Sequence, residues 1–528
     1  MDFDWRLPYP SRRLPLLARN AVATSHPLAA QAGLRMMLRG GNAVDAAVAC
    51  AIALTVVEPV SNGIGGDAFA MVWDGSGLHG LNASGRSPAA WTPQRFAGMD
   101  AMPERGWDTV TVPGAVSAWV ELSRRFGRLP FPELFAPASD YAREGYAVAP
   151  DVARQWQIQA DILAAQPGFT EAFLPGGRSP AAGEMFRFQE QAITLKRIAE
   201  TGGDAFYRGD LAQRLADHAR EHGGALAPED LAAHRADWVQ PLGMDYRGVV
   251  LHELPPNGQG LAALIALSIL SRWNVGILPL DTAESVHLQL EAMKLAFADV
   301  YRHVADPQGM EVSPQALLDP GYLDQRARRI DPQRAQEFGH GLPPDSGTVY
   351  LAAADASGMM VSCIQSNYNG FGSGVVVPGT GIALHNRGRA FSLKAGHPNR
   401  VGPGRRPFHT IIPGFVTRGG QALMSFGVMG AAMQPQGHVQ VMLRIFDYGQ
   451  NPQAACDAPR WRVMEGLNVW IEPGFPEQTV EGLRRRGHRL ALAKPPSLDF
   501  GAAQIIYRMD GGYLAASEPR RDGQAVGY

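Results

Sequence analysis

Thr348 is the residue whose setting asks for chemistry. It stands in "DSGTVYLAAAD", Asp345 to Asp355, between an Asp-Ser-Gly lead and a run of strand-forming residues. Thr is common in strands, so one reading is ordinary β-propensity. The other is that Thr348 becomes a new N-terminus and a nucleophile. A Thr hydroxyl is a poor nucleophile and needs a base within hydrogen-bond reach. A terminal Thr carries its own, because a free α-amine has a pKa near 7.7–8.0. That is close to the pH at which a general base is most useful. The amine is released only when the Gly347–Thr348 bond is cut. The Thr348 hydroxyl can itself attack the Gly347 carbonyl, which no side chain shields.

Three other patterns fall short. Gly63, Gly65 and Ala68 in "NGIGGDAFA" match G-x-G-x-x-A. A dinucleotide fingerprint must follow a strand and open a helix, and this one follows a helix and opens a hairpin. Ser373 in "GFGSGV" resembles a nucleophile elbow, but Phe371 and Val375 stand where glycines are required. His287 and Glu291 lie at i and i+4 without the H-E-x-x-H pattern of a zinc protease. Of the histidines, His409 beside "GRRPF" is the one retained as a candidate.

Composition narrows the field. A net charge of −2 over 528 residues calls for neither nucleic acid nor an acidic membrane surface. Cys50, Cys363 and Cys456 are an odd number without C-x-x-C, so neither a disulfide framework nor a zinc site follows. The start, "MDFDWRLPYPSRRLP", has acids first and prolines throughout, unlike a secretory signal. The longest apolar run, "AVDAAVACAIALTVVEPV", carries Asp45 and ends at a proline, short of the roughly 20 residues of a membrane span. The expectation is a soluble cytoplasmic protein.

The elements that would position Thr348 follow from pattern. Ser25 can cap a helix from Pro27 to Gly40-Gly41. Asn42 can cap the next, "AVDAAVACAIALTVV", which is apolar almost all round and therefore buried. "AFAMVWDGSGLHGLNAS" reads as a hairpin around Asp74-Gly75. The middle is mostly helical. It includes "AVSAWVELSRRFG" after Pro113-Gly114 and a long helix with a capping box at Asp281 and Glu284. Leu290, Met293, Phe297 and Val300 of that helix share a face and should be core. From Thr348 on, "TVYLAAAD", "MMVSCIQSN", "IALHN", "GQALMSFGVM", "AAQIIYRMD" and "GYLAASE" read as strands, with "GHVQVMLRIFDYG" as a helix among them. Strands and helices do not strictly alternate, which argues against a doubly wound parallel sheet. "FGHGLPPDSG", before Thr348, is the weakest segment for structure.

Several stretches together resemble the γ-glutamyltransferase family of N-terminal-nucleophile hydrolases. They are "GGNAVDAAVA" at 40–49, "VEPVSNGIGGDAFAMVWDG" at 57–75, "GRSPAA" at 85–90, "TVPGAVSAWVELSRRFGRLPF" at 111–131 and "PPNGQG" at 255–260. "TVYLAAAD" at 348–355, "NYNGFGSGVVVPGTGI" at 367–382, "GPGRRPFHTIIP" at 402–413 and "FGVMG" at 426–430 complete the set. They span nearly the whole chain in the family's order. The resemblance implies an α/β fold in which two stacked, mainly antiparallel sheets lie between helices, a four-layer αββα sandwich. It also implies autocleavage between Gly347 and Thr348. The large portion, residues 1–347, and the small portion, 348–528, would then form one αββα domain and remain a heterodimer that can assemble further. No cofactor or metal is implied, and the partner is a small amide bearing a carboxylate.

Residue by residue, the resemblance makes Thr348 the nucleophile and Ser366 the hydroxyl that orients the new amine. Gly430 and Ala431 fall on paired backbone N–H groups of an oxyanion hole. That pair is usually Gly-Gly, so Ala431 is expected to keep a negative φ. Arg86 falls on the Arg that clamps the substrate's carboxylate, a role suited to a guanidinium fork. In "HNRGRAFSL", His385 to Leu393, glutamyl-specific members place an acid that pairs with the substrate's α-ammonium. Here Ala390 stands there, with Arg387 and Arg389 beside it, and His409 and Thr410 replace paired serines. Either the arginines lie on a solvated surface, or they make the pocket cationic and costly for an ammonium. Two substrates fit: a γ-glutamyl amide such as glutathione, or a dicarboxylic monoamide without an α-amine, such as oxamate or a glutaryl amide. The rival of another class is a processing-dead binding protein, marked by loss of Thr348 or Arg86; both are present.

Overall fold

The computed structural model describes residues 13–338, 347–493 and 499–528. Most of the Pro-rich start and most of the segment leading to Thr348 therefore lie outside the described residues. In chain order the sheet strands are β1 (Leu16–Ala18), β2 (Ala21–Thr24), β3 (Asp67–Trp73), β4 (Leu78–Asn82), β5 (Asp237–Val239), β6 (Leu242–Tyr246) and β7 (Val249–Glu253). They continue as β8 (Gly347–Ala354), β9 (Met360–Tyr368), β10 (Gly414–Arg418), β11 (Gln421–Met429), β12 (Ala502–Met509), β13 (Gly512–Ser517) and β14 (Gln524–Gly527). One seven-stranded sheet runs β14-β2-β8-β9-β3-β4-β5, the other β1-β13-β12-β11-β10-β7-β6. Every pairing in both is antiparallel.

Strand alternation explains the layers. On β8, Val349, Leu351 and Ala353 join the core under α1 (Pro27–Leu38), α2 (Ala43–Val57) and α3 (Ala115–Phe126). Tyr350, Ala352 and Ala354 point the other way, into the core between the sheets. On β11, Met424, Phe426 and Val428 pack under α4 (Leu261–Ser271), α5 (Ala283–His303) and α6 (Met433–Phe446). Helix, sheet, sheet and helix thus stack as an αββα sandwich. Gly427 is required at the sheet contact, because a Cβ there would lie 2.4 Å from the Tyr350 ring.

Local expectations hold or shift for visible reasons. Asn42 accepts from Val44 N and Asp45 N, and Asp45 accepts from Asn42 N, a reciprocal cap on α2. The hairpin turns at Asp74, whose Oδ1 accepts from Ser76 N and Gly77 N. Two caps differ from expectation. His26, not Ser25, caps α1, its Nδ1 accepting from Leu28 N at 3.2 Å, while Ser25 Oγ donates to Glu58. Thr282 caps α5, while Asp281 sits at φ +58° and pairs with Arg444 instead. Within "IALHN" only Ile382–Ala383 forms strand, paired with Val376–Val377.

Candidate active site

Thr348 is the second residue of β8 and is 1% exposed. Its Oγ1 lies 3.2 Å from Ser366 Oγ. Ser366 is on the neighbouring strand β9, and its Cα partner across the next strand is Asp67 of β3. Directly opposed residues of an antiparallel pair show one face, so Ser366 and Asp67 look the same way. Ser366 Oγ also accepts from Tyr368 N at 2.8 Å and from Arg387 Nη2 at 3.3 Å.

Arg387 does not lie on a solvated surface: it is 0% exposed. Its Nη1 donates to Thr410 Oγ1 at 2.9 Å, and its guanidinium stands 4.3 Å from the Tyr368 ring centroid. Burial lowers its pKa to about 10, with Asp67 opposing the shift, so the group remains a cation at neutral pH. Arg389, on the same turn, is half-buried; it donates to Asn369 Oδ1 and pairs with Glu104.

Behind this cation lies a buried acid. Asp67 accepts from Gly85 N, Gly114 N and His409 Nε2, the last at 3.0 Å. Burial still pushes its carboxyl up to about 7, against the pull of Arg387. His409 is held well below its usual pKa by burial and by Arg387. As a neutral ring it donates from Nε2 to Asp67 and accepts at Nδ1 from Ile411 N. His385 Nε2 stands 3.6 Å from the other Asp67 oxygen, and its pKa is lowered to about 3 by burial. His409 is thus engaged with Asp67, while Thr410 is tied to Arg387.

The turn after β11 carries Gly430 at φ +117° and Ala431 at φ +50°. The expected negative φ at Ala431 is therefore corrected: the residue occupies the left-handed region that glycine favours. Among the described residues, no backbone carbonyl accepts from either N–H, and α6 begins two residues on at Met433. Tyr368 at φ +77° and Phe371 at φ +54° are likewise strained beside the site.

Arg86 is not brought into contact with this cluster by any hydrogen bond or ion pair among the described residues. Its side chain is 39% exposed, and Nη1 donates to Asp306 Oδ2 and Gly404 O, each at 3.0 Å. It lines an open pocket with Asp230, His234, Asp237 and Arg406; Thr348 is not in that wall. His287, Glu291 and His488 are brought together and buried. Glu291 is occupied by Lys294 Nζ and Gln336 N, and His287 by His488 and the Asp331 carbonyl. Sequence reasoning missed Asp67, Gln259 and His385. Asp67 directly follows the glycines of "GIGG", and Gln259 lies inside "PPNGQG"; the neighbouring glycines were the one local signal at either position.

The αββα sandwich is that of the N-terminal-nucleophile hydrolases, with the Thr348 and Ser366 hydroxyls side by side on two neighbouring strands of one sheet. Residues 29–528 match the gamma-glutamyltranspeptidase family, and the chain belongs to it. It is 37% identical over 520 residues to a glutathione hydrolase-like YwrD proenzyme of Bacillus subtilis, covering 96% of this chain and 98% of that one. It is 38% identical over 521 residues to an oxamate amidohydrolase proenzyme of Klebsiella pneumoniae, with 96% and 98% covered. A cephalosporin acylase from Bacillus halodurans superposes with a TM-score of 0.95 at 49% identity, covering 100% of this chain and 99% of that one.

Proposed function

We propose that the chain is a self-processing amidohydrolase whose acyl substrate bears a carboxylate and lacks an α-ammonium, as in oxamate or a glutaryl amide. In processing, Thr348 Oγ attacks the Gly347 carbonyl carbon and the Gly347–Thr348 C–N bond breaks. Water then hydrolyses the ester, leaving a carboxylate on Gly347 and a free amine on Thr348. Residues 1–347 and 348–528 remain together, because β8, β9 and β14 of the small portion lie in one sheet with β2 to β5 of the large one. In turnover the terminal amine accepts the Thr348 hydroxyl proton as Oγ bonds to the substrate's carbonyl carbon. The N–H groups of Gly430 and Ala431 receive the oxyanion, the protonated amine returns the proton to the leaving nitrogen, and water releases the acid.

The observation that carries the acyl specificity is Arg387, a buried cation one hydroxyl away from Thr348. A substrate ammonium brought here meets like charge, with Ala390 where an acid would answer it. The likeness to an oxamate amidohydrolase agrees. A γ-glutamyl amide is the second reading, supported by the glutathione hydrolase-like relative and by Glu104 beside Arg389. The test is product release measured in parallel on oxamate, a glutaryl amide, glutamine and glutathione, with Thr348→Ala as the unprocessed control. Preference for the first two supports the proposal; preference for glutathione transfers the assignment to the γ-glutamyl reading.

A further inference from the structure

We propose that Arg387 is a positioning residue for catalysis: its charge holds the Thr348 α-amine in the neutral form at physiological pH, so that the amine can serve as the base. This rests on the proposed processing at Thr348. An amine is a base only when unprotonated, and an unperturbed terminus of pKa 7.7–8.0 is mostly protonated at pH 7.

Geometry supplies the bias. Arg387 Nη2 is 3.3 Å from Ser366 Oγ, which is 3.2 Å from Thr348 Oγ1. The amine formed on Thr348 therefore lies on the order of 6–9 Å from the guanidinium. Two like charges at that distance, at an effective dielectric near 20, displace a pKa by roughly one to two pH units. The counter-charge is farther off. Asp67 is the Ser366 partner on the opposite side from β8, so its carboxylate stands about two strand spacings, roughly 10 Å, from Thr348. Asp67 also accepts from His409 and two backbone N–H groups.

Among the described residues, the other titratable and charged groups around Arg387 add no nearer anion; the carboxylate that processing leaves on Gly347 is common to wild type and variants and does not enter their difference. His385 and His409 are held neutral by burial. Tyr368 lies under the guanidinium, and Arg406 adds a second positive field on Asp67 and His409. When the acyl bond forms, the proton leaves Thr348 Oγ for the amine, and the ammonium so made is strained by Arg387. That strain favours passing the proton on to the departing nitrogen.

The experiment uses the processed protein, with the Thr-Val-Tyr terminus first confirmed by sequencing. The terminal amine is acylated with acetic anhydride across pH, and label on the Thr348 peptide is read by mass. The acid limb of kcat/KM is recorded alongside. Wild type should titrate below the unshifted 7.7–8.0, because Arg387 outweighs the more distant and only partly ionised Asp67. Arg387→Gln should move the midpoint up by one to two pH units. Arg387→Lys should keep the wild-type midpoint despite altered hydrogen bonding, which a merely structural role does not predict. A wild-type midpoint at 7.7 or above overturns the proposal even if Arg387→Gln fails to fold. So does a processed Arg387→Gln with the wild-type midpoint. Absence of the Thr348 terminus overturns the functional reading beneath it instead.

Discussion

Gln259 Nε2 donates to the carbonyl of Ala431 at 2.8 Å. The same amide donates to Thr410 O at 2.6 Å, so one buried side chain ties the turn after β11 to the stretch that holds Arg387. The tie helps keep Ala431 at φ +50°, where a Cβ costs of order 1 kcal/mol. Ala431→Gly should remove that strain and add unfolded-chain entropy of similar size. Stability should change by less than about 1 kcal/mol, and activity should persist, because the donors are backbone N–H groups. Ala431→Val puts a β-branched residue in the same conformation and should lower both Tm and kcat/KM. A well-folded but inactive Ala431→Gly would remove this turn from the oxyanion role.

That turn shows where sequence reading stopped. The resemblance to a known family is what marks Thr348, Gly430 and Ala431 as candidates, while α2 was legible directly because its cap and apolar face are local. The φ of Ala431 was not legible, since the Gln259 side chain that holds its carbonyl comes from a distant part of the chain. Nor was the burial of Arg387: an Arg in "HNRGRAF" looks solvated until Thr410 and Ser366, 23 and 21 residues away, are folded onto it. Asp67 was hidden for the same reason, as its partner His409 is 342 residues on.

Arg86 gives a kinetic prediction. If it clamps the substrate's carboxylate, that carboxylate competes with Asp306 for the guanidinium. Arg86→Lys loses the bidentate fork, worth roughly 1.5–3 kcal/mol for a charged contact. We expect kcat/KM to fall about tenfold or more, mainly through KM. Comparing substrates with and without the carboxylate checks it; equal losses on both assign Arg86 to structure alone.

His26 carries a pH-dependent stability term. Burial lowers its pKa from 6.5 to about 3, and its Nε2 has no partner among the described residues. Between those values the unfolded chain binds the extra proton, so stability rises with pH and is lost as pH falls below 6.5. His26→Asn keeps a competent N-cap and removes the titration. From pH 7 to pH 5 the variant should therefore gain about 2 kcal/mol relative to wild type, whatever its constant packing cost. Urea midpoints at the two pH values measure the difference, and a pH-independent gap would show that His26 titrates normally in the fold.

Ala390 gives the sharpest test of the pocket. It ends the turn Arg387–Ala390, and its carbonyl accepts from Asn399 Nδ2 at 2.6 Å, which fixes the backbone there. If the substrate's acyl end binds near this turn, an ammonium there meets Arg387 with Ala390 in place of an acid. Like charges in a partly buried site repel by on the order of 1–4 kcal/mol at an effective dielectric near 20. Des-amino acyl amides should therefore be cleaved at least about tenfold better than γ-glutamyl amides with the same leaving group. Ala390→Asp introduces a carboxylate three residues from Arg387, which the ammonium and Arg387 would share. It should shift the preference back toward the γ-glutamyl compound while leaving the des-amino rate at or below wild type. If wild type already prefers the γ-glutamyl compound, an acid other than residue 390 reads the ammonium, and Glu104, released from Arg389, is the one the geometry offers.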